Sequence, residues 1–297
     1  WRPDKSLHFS DLCPLDKPPE FRAFHRRIYR FFWYTWSITG MEEIWKRVSL
    51  WIRGDALNKN YNIYNFQKDL NSLSVTLNEK QIQQFLIYYE MLIDWNQRVN
   101  LTAITEYEDV LKKHFIDSIS LIKVYDLRRR VSLIDVGTGA GFPGMALKIA
   151  FPELEVTLLD SLNKRIHFLD EVISVLDLKG INTIHGRAED CAKQNGMRES
   201  FDLCVSRAVA RLSTLAEYCL PFVKTGGYFV SYKSEKILDE SVEAEKAIRI
   251  LGGKISGQVE FLLPGSGIYR NLFIIEKIKD SPMIYPRKAG IPGKNRL

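Results

Sequence analysis

Three glycines and two aspartates carry the first chemical signal of this 297-residue chain. The apolar run Val131 to Ile134 reads as a strand buried on both faces, and it ends in Asp135. Gly137, Gly139 and Gly141 follow, and helical patterning begins at Met145. A strand that passes through a glycine turn into a helix brings bare backbone N–H groups up to a ligand. The next apolar run, 155–159, ends in Asp160. That acid lies about 20 residues beyond the turn, the spacing at which a carboxylate meets a ribose hydroxyl in nucleotide-binding folds. The segment predicts a binder of an adenosine-containing cofactor.

The glycine spacing narrows the choice of cofactor. A dinucleotide site uses G-x-G-x-x-G, whose last glycine lets the helix start against a pyrophosphate. Here the spacing is G-x-G-x-G behind Asp135, which resembles S-adenosylmethionine-dependent methyltransferases. An NAD-linked oxidoreductase and a glycine turn with no ligand are the other readings of the loop. Arg187, Ala188 and Glu189 follow a third predicted strand, and Arg207 follows a fourth. The guanidinium of Arg207 is a permanently charged planar fork, suited to a phosphate, a base edge or a carboxylate, or to a buried ion pair. No N-P-P-Y-like loop and no Pro-Cys nucleophile stands after the fourth strand, and Cys204 falls inside it as core packing.

These residues need a scaffold that brings strand ends together. Strands are predicted at 131–135, 155–159, 181–185, 201–206, 227–232, 256–262 and 270–277, with helices at 142–151, 163–177, 211–223 and 236–250. Such alternation implies an α/β fold with a mostly parallel sheet, whose ligands bind at the C-terminal strand ends. The last two strands share a short connection and are expected to be antiparallel. Before this domain, 128–297, residues 41–127 read as a helical cap, with 3.6-residue periodicity in Asn78 to Gln97 and Glu106 to Tyr125. Residues 1–40 mix prolines with the aromatic cluster Phe31 to Trp36 and show no clean period. They read as an upstream extension, outside the fold.

Bulk properties limit the classes. The net charge is +6 and the pI about 9.0, which suits a polyanionic partner. Arg128, Arg129 and Arg130, and the tail bearing Lys279, Arg287, Lys288, Lys294 and Arg296, are candidate phosphate contacts. Cys13, Cys191, Cys204 and Cys219 show no C-x-x-C or metal spacing, which fits a reducing cytoplasm and no metal site. No apolar run reaches membrane-spanning length.

Longer motifs are more specific. WNQRVNLTAI (95–104), KHFIDS (113–118), DVGTGAGFPG (135–144), LLDSLNKRIHFL (158–169), GRAED (186–190), SRAVA (206–210), LPFVKTGG (220–227) and YPRKAGIPGKNRL (285–297) occur in order. Together they resemble the RsmG family, also called glucose-inhibited division protein B, the bacterial small-subunit rRNA guanine-N7 methyltransferases. The resemblance spans about 42–297 and implies a class I, Rossmann-like methyltransferase with a seven-stranded mostly parallel sheet. It implies S-adenosyl-L-methionine as cofactor and 16S rRNA or the small ribosomal subunit as partner, with the protein acting as a cytoplasmic monomer. It places Gly137, Phe142, Ala188, Glu189 and Arg207 at the cofactor, where the loop itself suggests Asp135, Gly139 and Asp160. Around the reacting centre it places Asn100, His114, Asp117, Arg187, Arg207 and Arg270. Read alone, Asn100 could end a helix, His114 and Asp117 could form a local i, i+3 pair, and Arg270 could be solvated.

Overall fold

The computed structural model describes residues 61–297 apart from 236. The expected extension 1–40 and the first part of the expected cap, 41–60, lie outside the described residues. Residues from Asn60 onward form one compact unit.

Two helices and a mixed helical run open the unit. Helix α1 is Tyr64–Ser72 and α2 is Glu79–Asn96. The α2 start is fixed by a reciprocal capping box in which Asn78 accepts from Gln81 N and Gln81 accepts from Asn78 N. Its inner face buries Phe85, Tyr88, Met91 and Leu92 completely. Two glutamines tie it to the sheet domain. Gln81 Nε2 donates to Ile149 O at 2.8 Å, and Gln84 Nε2 donates to Leu176 O at 2.9 Å. Both acceptors are carbonyls at helix C-termini that the helices themselves cannot satisfy. The next run, α3, covers 107–123. It is α-helical at Tyr107–Val110, π-helical at Leu111–Ile116, α-helical at Asp117–Ile119 and 3₁₀ at Ser120–Lys123. The sequence periodicity predicts one regular helix here, but the backbone changes pitch three times along the run that carries His114 and Asp117.

From Ser132 the chain alternates as expected: β1 Ser132–Val136, α4 Gly144–Ala150, β2 Glu155–Asp160, α5 Asn163–Val175, β3 Ile181–His185, α6 Ala188–Cys191, β4 Phe201–Arg207, α7 Leu212–Cys219, β5 Val223–Lys233, α8 Leu238–Ile250, β6 Gly253–Leu262, β7 Tyr269–Lys277 and α9 Ile291–Lys294. The seven strands lie in the order β3-β2-β1-β4-β5-β7-β6. Strands β1 to β5 pair in parallel, and β7 runs antiparallel to both β5 and β6. The central strands are apolar on both faces because helices cover both, and Leu133, Ile134, Leu158, Leu203, Cys204 and Val205 have no accessible surface. The order steps outward from β1 in two directions, through β2 and through β4. That reversal opens a crevice at the C-terminal ends of β1, β2 and β4. Among the described residues no helix is long and apolar enough to cross a membrane.

Candidate active site

The glycine loop after β1 forms one wall of the crevice. Gly137 N and Thr138 N donate to Leu159 O, so the chain folds back over the end of β2. Gly137 and Gly141 both sit at positive φ, +72° and +96°. A Cβ on Gly137 would lie 2.6 Å from Val209 Cγ2, and one on Gly141 would lie 2.5 Å from the Tyr88 hydroxyl. Both positions therefore demand glycine on conformational and steric grounds. Gly139 differs, because nothing lies within 4 Å of where its Cβ would be. It lines the crevice and presents bare backbone to it.

The two strand-end acids have different roles. Asp135 is fully buried and does not line the crevice. Its Oδ2 accepts from Thr138 Oγ1 at 2.7 Å and from Gly144 N at 2.8 Å, and its Oδ1 is buried without a partner. Burial pushes its carboxyl up to about 6 despite those two donors. The expectation of a direct ligand contact at Asp135 is corrected: the side chain turns under the loop and braces it against the first turn of α4. Asp160 does line the crevice. Its Oδ2 accepts from Gly139 N at 2.9 Å and its Oδ1 from Leu162 N at 2.9 Å, which aims the carboxylate between loop and strand.

The opposite wall is a charge cluster drawn from four distant segments. Asp117, on α3, is 3% exposed and bridges two arginines. Arg207 Nη1 donates to Asp117 Oδ2 at 2.9 Å, and Arg270 Nε donates to Asp117 Oδ1 at 2.8 Å. Two guanidinium charges against one carboxylate leave a net positive floor. Arg207 also donates to Lys113 O at 3.2 Å, and its guanidinium lies 5.2 Å from the Phe142 ring centre. Among the described residues, Arg207 Nε and Arg270 Nη2 have no protein acceptor, so both keep donors for a ligand.

His114 fills the corner between these walls. Its ring stacks on Phe142, with centres 4.4 Å apart and planes 18° apart. Arg207 Nη2 lies 3.3 Å from Nδ1 and can only donate, so Nδ1 is the acceptor and Nε2 carries the proton toward Thr102 Oγ1 at 2.8 Å. Burial and the adjacent Arg207 charge lower its pKa to about 3. The imidazole is neutral, and both nitrogens are engaged. His114 and Asp117 do not form the local pair that their spacing allows, because each reaches across to Arg207 instead.

Some expected residues do not converge on this cavity of about 1340 Å³. Asn100 is exposed in the loop after α2. Asn96 makes that turn, accepting from Leu101 N at 2.8 Å and Thr102 N at 2.9 Å, and Thr102 is the residue it delivers to the crevice. Arg187 is exposed at the end of β3, while Ala188 and Glu189 start α6 beside the C-terminal tail, outside the cavity that Arg207 lines. Arg128, Arg129 and Arg130 precede β1, so they stand at the N-terminal end of the parallel strands. At about 3.3 Å per residue, a strand of this length separates them from the crevice by roughly 15 Å or more. Arg128 donates to Ser74 O and Arg130 pairs with Glu155. Sequence reasoning missed Thr102 and Tyr88. The Tyr88 hydroxyl donates to Ala140 O under the glycine loop, and its ring packs on Phe115 and near Phe142. The face 81, 85, 88, 92 of α2 is the available signal for Tyr88.

The strand order, the glycine loop after β1 and the acid at the end of β2 define the class I, Rossmann-like, S-adenosylmethionine-dependent methyltransferase fold. The particular family follows from the whole chain. Residues 81–264 match the model of the family described as rRNA small subunit methyltransferase G. The chain is 56% identical over 232 residues to a ribosomal RNA small subunit methyltransferase G of Lachnoclostridium phytofermentans, covering 78% of this chain and 96% of the relative. It is 48% identical over 232 residues to the protein of the same name from an Exiguobacterium species, covering 78% and 98%. Among solved structures, a methyltransferase from Aquifex aeolicus aligns with a TM-score of 0.44 and 19% identity over 57% of this chain and 93% of that one. The chain belongs to the rRNA small subunit methyltransferase G family.

Proposed function

We propose that this protein transfers a methyl group from S-adenosyl-L-methionine to N7 of a guanine in 16S rRNA. The observation that carries the reading is the Asp117-bridged Arg207–Arg270 pair facing a glycine loop of open backbone. The loop fits the cofactor: Gly139 exposes main chain where a side chain would project into the crevice, and Asp160 is held ready at the end of β2. Gly137, Gly139 and Asp160 would hold it on this wall, with Phe142 and Arg207 across from them, while Ala188 and Glu189, outside this cavity, would meet it only where it extends past the crevice to the end of β3. When bound, it supplies a sulfonium-activated methyl group.

The residues of this chain have no proton to remove. N7 of guanine already offers a lone pair, so the reaction requires no general base. The site agrees: His114 is neutral with both nitrogens committed, and both Asp117 oxygens are spent on arginine. Catalysis then rests on positioning the base and on complementary charge. The free N–H groups of Arg207 and Arg270 can hold the target nucleotide, and the Phe142–His114 stack gives the crevice an aromatic side. A base in a stacked helix cannot reach this recess, so the target nucleotide must be extruded or unpaired. Phosphates nearby would meet Lys113 and Arg211, both lining the crevice and partly exposed, rather than Arg128 to Arg130. We read the protein as a cytoplasmic monomer. An assay with labelled cofactor and 16S rRNA lacking the modification tests the reading, with 7-methylguanine as the expected product.

A further inference from the structure

The C-terminal tail is a sequence motif that the crevice leaves unused. It is fastened at several points on elements behind the cofactor wall. Arg198 donates to Ser281 O at 2.7 Å and to Tyr285 O at 3.0 Å. Glu217 on α7 is 1% exposed, and it takes Arg287 in a fork, with Nη2 donating at 2.6 Å and Nε at 2.9 Å, while the Arg287 backbone N donates at 2.8 Å. Thr214 Oγ1 donates to Pro292 O at 3.2 Å. Tyr285 and Leu297 pack on the same apolar cluster as Ala188.

One tail contact differs from these anchors. Gly290 N donates at 3.1 Å to Oε1 of Glu189, a carboxylate only 5% exposed at the start of α6. Gly290 has φ +82°, a left-handed turn that aims this N–H. We propose that the tail is a positioning element for the cofactor site, with the main-chain N–H of Gly290 fixing the Glu189 carboxylate before the cofactor arrives. The inference rests on reading Glu189 as a cofactor contact. A carboxylate oriented in advance binds more tightly, because less freedom is surrendered on binding. By linkage, a tail that strengthens cofactor binding is itself held more firmly once the cofactor is bound.

The test uses full-length protein and S-adenosyl-L-methionine itself. Gly290→Val adds no clash, since nothing lies within 4 Å of its Cβ, but a β-branched residue cannot hold that φ and the N–H swings away. The expected result is a Kd for the cofactor raised between about twofold and tenfold, the range of one net hydrogen bond. KM for the cofactor should rise without a matching fall in kcat. Glu189→Ala should weaken binding on its own, and adding Gly290→Val to it should cost nothing further. Additive effects, or a Gly290→Val Kd equal to wild type beside a weakened Glu189→Ala, would overturn the role of the tail and leave the site reading intact. A Glu189→Ala protein that binds as wild type would overturn the reading of Glu189. Should Gly290→Val not fold, hydrogen exchange on the wild-type chain decides the matter. Saturating cofactor should slow exchange across 286–297, and identical rates with and without it would refute the coupling.

Discussion

Two arginine clusters stand at opposite ends of one sheet, and their surroundings separate site from surface. Arg128, Arg129 and Arg130 are exposed before β1, where one leans on a backbone carbonyl, one lies over Tyr125 and one pairs with Glu155. Arg207 and Arg270 are 13% and 15% exposed at the other end and share a single buried carboxylate. Exposed pairs of the first kind contribute about 0–1 kcal/mol, since water competes for every donor. The second arrangement fixes two guanidinium planes against an aromatic wall and leaves donors pointing at a cavity. A run of adjacent arginines is the louder signal in a sequence. The functional pair comes instead from positions 63 residues apart, joined by an acid on a third element.

The largest expected effect falls on Arg207. Arg207→Lys keeps the charge but cannot span Asp117, Lys113 O and His114 at once, and it should lower kcat by about 10²–10³, the scale of removing one preorganised donor. Its melting temperature should drop little, because Arg270 still neutralises Asp117. A parallel loss of stability and activity would make the pair structural. Asp117→Asn is the complementary probe. It frees two arginines from their common anchor, so it should lose both activity and stability, by about 3–5 kcal/mol for a broken buried pair. Denaturant unfolding beside kcat separates it from Arg207→Lys.

Gly137→Val tests the other wall. The φ of +72° and the approach of Val209 both oppose the new side chain, so cofactor binding by calorimetry should be abolished while the circular dichroism of the fold persists. Retained binding would misplace the crevice. A smaller effect sharpens the comparison of the two ends. Neutralising Lys113 and Arg211 together should reduce the slope of log affinity for RNA against log salt by somewhat under one unit for each phosphate that is no longer neutralised. Neutralising Arg128, Arg129 and Arg130 should leave that slope unchanged.

The smallest effect concerns pH. The His114 pKa is about 3 in the folded chain against an ordinary 6.5. Between those values the unfolded chain binds a proton that the folded chain refuses. Its contribution to stability is therefore complete above pH 6.5 and is lost as pH falls toward 3. Asp135, raised from 3.8 to about 6, works in the opposite sense over its own window. Unfolding free energies measured from pH 7 to pH 4 should fall less steeply in His114→Gln than in wild type. An identical pH dependence would mean that His114 is charged in the crevice.

The sequence displays the scaffold well and the orientation of its polar groups poorly. The central strands β1, β2 and β4 appear as apolar runs because burial on both faces leaves no polar alternation, the edge strand β6 shows instead as alternating exposed and half-buried residues, and the glycine loop shows because its backbone excludes other residues. Asp135 shows why the rest was hidden: a carboxylate at a strand end can face a ligand or turn beneath the loop, and only the donors of Thr138 and Gly144 decide. The contact of Thr102 with His114 and the reach of Asp117 to both arginines depend on a capped turn at Asn96 and on a π-helical stretch, neither of which leaves a periodic trace. The position of Arg128 to Arg130 was within reach, since residues preceding a parallel strand lie at the end away from the ligand crevice.

The most direct measurement is single-turnover methylation of unmodified 16S rRNA with labelled S-adenosyl-L-methionine, followed by mapping of the modified base. The wild-type protein and the Arg128–Arg129–Arg130 neutralised variant should both place the label at N7 of one guanine at equal rates under saturating RNA, and Arg207→Lys should be slower by about 10²–10³. Label on another atom or another base, or an Arg207→Lys rate equal to wild type, would contradict the assignment of the reactive end to the Asp117-bridged arginines.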